Sequence, residues 1–100
     1  MRTDETRGRS LLDAPVRFPE HVIFRSFVQE TVALNLQTGQ FHGLNATAGR
    51  MVELVGRSSR PRDAVGPLAS EYDVPERQVE DDLVALLAEL LERDLIELVI

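Results

Sequence analysis

The order of apolar patterns along the chain predicts an α+β fold, a three-stranded antiparallel sheet followed by three helices. Three observations carry this. Residues 21–44 hold three short segments rich in β-branched and aromatic residues or alternating in polarity. Residues 46–93 switch to helical spacing, with a capping asparagine and two prolines at helix starts. The whole chain has 100 residues, enough for one modest core.

The elements follow in order. Residues 1–14, MRTDETRGRSLLDA, read as a flexible tail preceding a domain at 15–100, because only Leu11 and Leu12 are large and apolar, a pair that could still pack on the domain or on a partner. The first strand spans His21–Val28. In the second, Glu30–Leu36, Val32, Leu34 and Leu36 fall on one face and Thr31, Ala33 and Asn35 on the other, the period of a half-buried strand. Gln37-Thr38-Gly39 is a tight turn, with Gly39 free to take positive φ. Gln40–Leu44 is the third strand. Asn45 caps a helix over Ala46–Val55, which Gly56 stops at the C′ position. The second helix spans Pro61–Tyr72, and Gly66-Pro67 inside it demands a kink or a late start. Pro75 opens the third helix, whose Val79, Leu83, Leu86, Leu87, Leu90 and Leu91 form an apolar stripe ending near Arg93. Residues 95–100 suit a short closing strand. The β-β-β-α-α-α order is that of a winged helix-turn-helix-like domain.

Composition excludes several functions. Seventeen acids against 11 bases, all arginine, give a net charge of −6, which disfavours nucleic acid and anionic membrane surfaces. The charge is concentrated where a DNA reader could least tolerate it. Glu76, Glu80, Asp81, Asp82, Glu89 and Glu92 against Arg77 and Arg93 leave −4 on the third helix, the element that would enter the major groove. With no cysteine there is neither a disulfide framework nor a thiolate nucleophile. His21 and His42 lie on different strands with no metal-binding spacing, and no serine sits in G-x-S-x-G. Neighbouring acids at 80–82 splay apart on a helix and do not converge on one ion. No catalytic residue, metal or cofactor is expected. Apolar runs are too short to span a membrane and the amino terminus lacks a secretory segment, so a cytoplasmic protein is expected.

One constellation remains. Val32-Ala-Leu-Asn-Leu-Gln-Thr-Gly39, Phe41, Leu44-Asn45-x-Thr47, Glu53-Leu54, Leu68-Ala69-x-x-Tyr72-Asp73-Val74 and the leucines from Val79 to Leu90 together resemble the PqqD family over roughly residues 16–97. The family's helix-start glycine is shifted here to Gly49, and Asp94-Leu95-Ile96 replaces its Gly-Leu-Leu. The resemblance implies a recognition element of ribosomal peptide natural-product pathways, not an enzyme. Such proteins bind the leader segment of a precursor peptide and deliver its core to a modifying enzyme. The free-standing form is similar to those of lasso-peptide pathways, whose other partners are a cysteine protease and a cyclase. It is also similar to the peptide chaperone of a radical SAM enzyme in PQQ synthesis. A winged-helix DNA-binding regulator is the other alternative.

In this reading the leader adds as a strand to the edge at Gln40, Phe41, His42, Gly43 and Leu44, with Gly43 admitting a second backbone closely. The third helix forms the other wall. Leu83, Leu86 or Leu87 either lines the groove with Phe41 or belongs wholly to the core, and Arg77 or Asp82 at the rim could pair with leader charges.

Overall fold

The structure, a computed structural model, describes residues 10–99. It is an α+β domain in which a three-stranded antiparallel sheet precedes three helices. The sheet comprises β2 (Val22–Ser26), β3 (Glu30–Asn35) and β4 (Phe41–Asn45), in that spatial order. The helices are α1 (Ala46–Gly56), α2 (Val65–Tyr72) and α3 (Glu76–Glu92). A short strand β1 (Val16–Arg17) pairs antiparallel with β5 (Glu97–Leu98), so the closing strand clasps the residues just ahead of the sheet. Arg17 and Glu97 add a side-chain ion pair across this ribbon.

The turns form as their residues dictate. Gly39 sits at φ +78° between β3 and β4, and its N–H donates to the Asn35 carbonyl at 2.8 Å. The Asn35 side-chain Oδ1 accepts from Gln37 N–H at 2.9 Å and Thr38 N–H at 3.3 Å, so this buried amide organises the turn. Asn45 caps α1, its Oδ1 accepting from Ala48 N–H at 2.8 Å.

Several boundaries depart from expectation, each for a local reason. Gly56 is the last residue of α1 and its φ is not positive; Arg57 closes the helix through its N–H to the Leu54 and Val55 carbonyls. The second helix begins late: Pro61–Ala64 is a 3₁₀ turn and α2 starts at Val65. Pro67 therefore lies in the first turn, where an N–H has no intrahelical acceptor to lose. Asp73 and Asp94 end α2 and α3 in the left-handed region, at φ 56° and 60°. The segment read as tail reaches the core: Leu12 is fully buried and the Asp13 carboxylate receives two bonds from Arg62, at 2.6 and 2.9 Å. Residues 1–9 lie outside the described residues.

The core lies between the sheet and the helices, around Leu12, Leu68, Leu83, Leu90 and Leu95. The inner face of β3 holds Thr31, Ala33 and Asn35, and its larger residues Val32, Leu34 and Leu36 turn outward. The alternation is as expected, but the small, more polar face is the buried one. The reason is the approach of α1. A Cβ on Gly49 would stand 2.2 Å from Thr31 Oγ1, so helix and strand touch at backbone distance and no bulky side chain fits between them. Ion pairs tie the helical layer together: Arg50 of α1 holds Glu71 of α2 at 2.9 Å and its own helix's Glu53 at 3.0 Å.

Candidate functional site

The candidate site centres on β4, an edge strand of the sheet. In an antiparallel ladder the N–H and C=O of one residue point to the same neighbour, and successive residues alternate. Asn35 N–H donates to the Gln40 carbonyl at 2.8 Å, and the register pairs Ala33 with His42 and Thr31 with Leu44. Residues 40, 42 and 44 therefore bond to β3, and the N–H and C=O groups of Phe41 and Gly43 face the open edge. These are four main-chain groups with no partner among the described residues, on a segment that is exposed at both positions.

The other edge is less open. On β2 the Val22 N–H is already held by the Pro19 carbonyl at 3.0 Å, and Phe18 packs edge-on against Phe24 with ring centroids 5.5 Å apart.

The C-terminal end of α3 stands beside β4. Arg93 Nη1 donates to His42 Nδ1 at 2.8 Å, and Arg93 Nε pairs with Glu89 at 3.3 Å. Asp82, Leu86 and Glu89 precede Arg93 by 11, 7 and 4 residues and so follow the same side of the helix. Beside them the helix surface is shallow, lined by Ala85, Ala88, Glu89 and Glu92. Small side chains there leave room above the helix, between Glu89, Glu92 and Arg93.

The expected site residues separate on this geometry. Gln40, Phe41, His42, Gly43 and Leu44 are brought together at the edge, with Leu44 turned into the core. Asp82 and Leu86 lie on the side of α3 that carries Arg93. Leu83 and Leu87 are buried at 0% and 2% exposure, and Leu86 is nearly so. Phe41 does not meet these leucines. Its alternation places it on the outer face of the sheet, 70% exposed, in a depression it shares with Ile23, Val32 and Leu34. Arg77 falls roughly 160° around α3 from Arg93 and pairs with Asp81 at 3.8 Å, away from β4.

Arg93, Glu89, Ala85 and Ala88 escaped the sequence reading. The alanines at three-residue spacing, flanked by acids, were the available signal for an exposed but uncrowded helix face.

Hydrogen bonding to Arg62 holds the Asp13 carboxyl below the usual carboxylate range, and bonding to Arg50 does the same for Glu71. Both are exposed structural pairs outside the groove. Among the described residues no group of histidines and acids could hold a metal ion, and no helix is long and apolar enough to cross a membrane.

Known proteins share this fold. Residues 30–96 match the family described as coenzyme PQQ synthesis protein D (PqqD). Two solved structures superpose closely. One is TbiB1 in complex with the TbiA(beta) leader peptide, 33% identical over 81% of this chain and 94% of that one, with a TM-score of 0.74. The other is a lasso peptide synthetase B1 complexed with the leader peptide, 27% identical over 84% of this chain and 99% of that one, with a TM-score of 0.76. No curated protein matches the chain significantly.

Proposed function

Because the chain belongs to the PqqD family, we propose that it binds the leader segment of a ribosomally made precursor peptide and presents the core segment to a modifying enzyme or leader peptidase. The leader adds as a fourth strand beside β4, antiparallel or parallel, bonding to the main chain of Phe41 and Gly43. Its inward side chains rest against the Asp82–Leu86–Glu89–Arg93 side of α3. The chain performs no bond-making itself; it raises the local concentration of substrate at a partner. The pathway is of the lasso-peptide type, with a cysteine protease and a cyclase as further partners, in the cytoplasm.

The observation that carries this reading is the open edge. Four unpaired main-chain groups on a short exposed strand form a template for another strand, and a helix wall beside it supplies selectivity. The two leader-bound relatives support the same occupant. A DNA-reading role is disfavoured by the six acids on α3, which would face phosphate.

Titration of the fluorescently labelled leader with the full chain tests the proposal. A saturable complex at micromolar Kd or tighter, about −8 kcal/mol or better, is expected. Absence of saturation at roughly a hundred times that concentration refutes it.

A further inference from the structure

One side-chain contact ties the end of α3 to the middle of the open edge. His42 lies between Phe41 and Gly43, the two residues whose main chain faces outward. Its side chain takes the opposite side of β4 from Phe41, half-buried and turned toward the helices, as strand alternation requires. There Arg93 Nη1 donates to His42 Nδ1 at 2.8 Å. A guanidinium donates and never accepts, and it keeps its charge inside proteins, so Nδ1 has to be the acceptor. The contact therefore requires a neutral imidazole with its proton on Nε2.

The charges that face this ring are few. Arg93 and Glu89 approach from α3, paired with each other at 3.3 Å, and Glu92 and Asp94 flank Arg93 in the chain. On β3 the same face carries Thr31, Ala33 and Asn35, none of them charged, and Glu30 lies beside Gly43 on the outer side. On α1, Arg50 and Glu53 are turned to Glu71 and Arg57. The other histidine, His21, precedes β2 at the opposite edge of the sheet. A proton on Nδ1 removes the acceptor and sets a second cation against Arg93, whose carboxylate partner is already engaged.

We infer that the Arg93–His42 contact is a pH-sensitive clasp: it holds the α3 wall to the edge strand while His42 is neutral, and protonation of His42 opens it and weakens leader binding. The inference rests on the peptide-binding reading above. Arg93 and His42 act as positioning residues, fixing the distance between the strand that pairs with the leader and the helix that meets its side chains. Imidazole changes charge between about pH 5 and 8, where carboxylates stay ionised, so the clasp responds while the acids around it do not.

The test uses the full chain and its fluorescently labelled leader at pH 7.5 and 5.5, with NMR of the histidine rings and backbone amides. The parent Kd is expected to rise about three- to tenfold on acidification, the loss of one hydrogen bond to a charged group. His42→Gln keeps an acceptor that does not titrate; it should bind like the parent at pH 7.5 and lose most of the pH response. Arg93→Ala should bind at both pH values as weakly as the parent does at pH 5.5. A parent response retained in His42→Gln, or abolished in His21→Gln, overturns the inference. So does a parent affinity that is flat or rises on acidification, since Glu89 would then hold the imidazolium in place of Arg93. The NMR reads the clasp without leader and without variants. His42 Nδ1 should carry no proton at pH 7.5, and the amides of Phe41, Gly43 and Arg93 should shift as the ring titrates; a protonated Nδ1 or an edge that does not respond overturns the inference. Should the ring and edge respond so while no leader binds at either pH, the clasp is upheld and the peptide-binding reading is refuted.

Discussion

Replacing Gly43 by proline isolates the open edge from the fold. Gly43 bonds to nothing in β3; its N–H and C=O face outward. Proline on an edge strand with its nitrogen toward solvent leaves the ladder intact, and the preceding His42 is already extended, as a pre-proline residue prefers. Phe41 and Gly43 offer four main-chain groups to an added strand, each worth about 0.5–1.5 kcal/mol net when paired. Proline deletes one donor, leaves a leader carbonyl unpaired at a cost of about 1–3 kcal/mol, and sets ring carbons where the leader backbone must pass. The combined loss is about 2–4 kcal/mol, or roughly a 30- to 1,000-fold rise in Kd. Fluorescence polarisation of labelled leader reads it, with thermal melting by circular dichroism alongside. Gly43→Ala is the control, because its Cβ would meet only Glu30 Oε1 at an ordinary 3.5 Å and the N–H remains. Its Kd should stay within about threefold. Ser26→Pro makes the matched change on β2 and should leave binding unaltered. If Gly43→Pro melts like the parent and binds leader within threefold of it, strand addition at β4 is refuted.

Further outcomes follow from the packing. Gly49→Ala forces a Cβ to 2.2 Å from Thr31 Oγ1; overpacking of about 3 kcal/mol less about 1 kcal/mol of helix propensity leaves about 2 kcal/mol of destabilisation, read as a melting temperature lower by roughly 8–16 °C and partly restored by Thr31→Ala. Asp94→Gly relieves a left-handed residue at φ 60° and should stabilise by about 0.5–1 kcal/mol in urea unfolding. Arg93→Ala cuts the link between α3 and His42 and should raise the leader Kd about three- to tenfold with little change in melting. Asp13 titrates below its unfolded value because Arg62 bonds its charged form, so this pair stabilises the fold above the unfolded carboxylate pKa of about 3.9 and the contribution fades as pH falls through the lower folded value. Arg62→Gln should return the Asp13 carboxyl resonance to an ordinary titration in NMR and shrink that acid limb.

Most of the fold was legible because its signals are local. The alternation of β3, the capping Asn45, the Gly39 turn and the leucine stripe of α3 each act within a few residues, and each element stands where those signals put it. Helix ends were less legible. Gly56 suggested a left-handed stop, yet such a residue closes a helix only when the chain must reverse there, and Arg57 closes this one without it. Asp73 and Asp94 take the left-handed role instead, which aspartate tolerates through its short polar side chain. The pairing of β1 with β5 joins residues about 80 apart, beyond the reach of any local pattern.

The site shows a sharper limit. Apolar alternation reports that a strand has two unlike faces, and hydrophobicity alone would bury Val32, Leu34 and Leu36. Inside the protein the close approach of α1 at Gly49 admits no side chain larger than Thr31, and the parity that turns Thr31 inward turns Ala33 and Asn35 inward with it and leaves the larger residues outside. The same parity carries Phe41 away from the leucines of α3, which close the core by themselves. An inverted strand of this kind is costly for a protein that stays alone, because it exposes apolar surface that a simple exchange of faces would hide. The outward row of Ile23, Leu34 and Phe41 runs directly up to the open edge of β4. The tight contact of Gly49 with Thr31 then does more than pack a helix. It fixes which face of the sheet is turned outward beside the edge at Phe41 and Gly43.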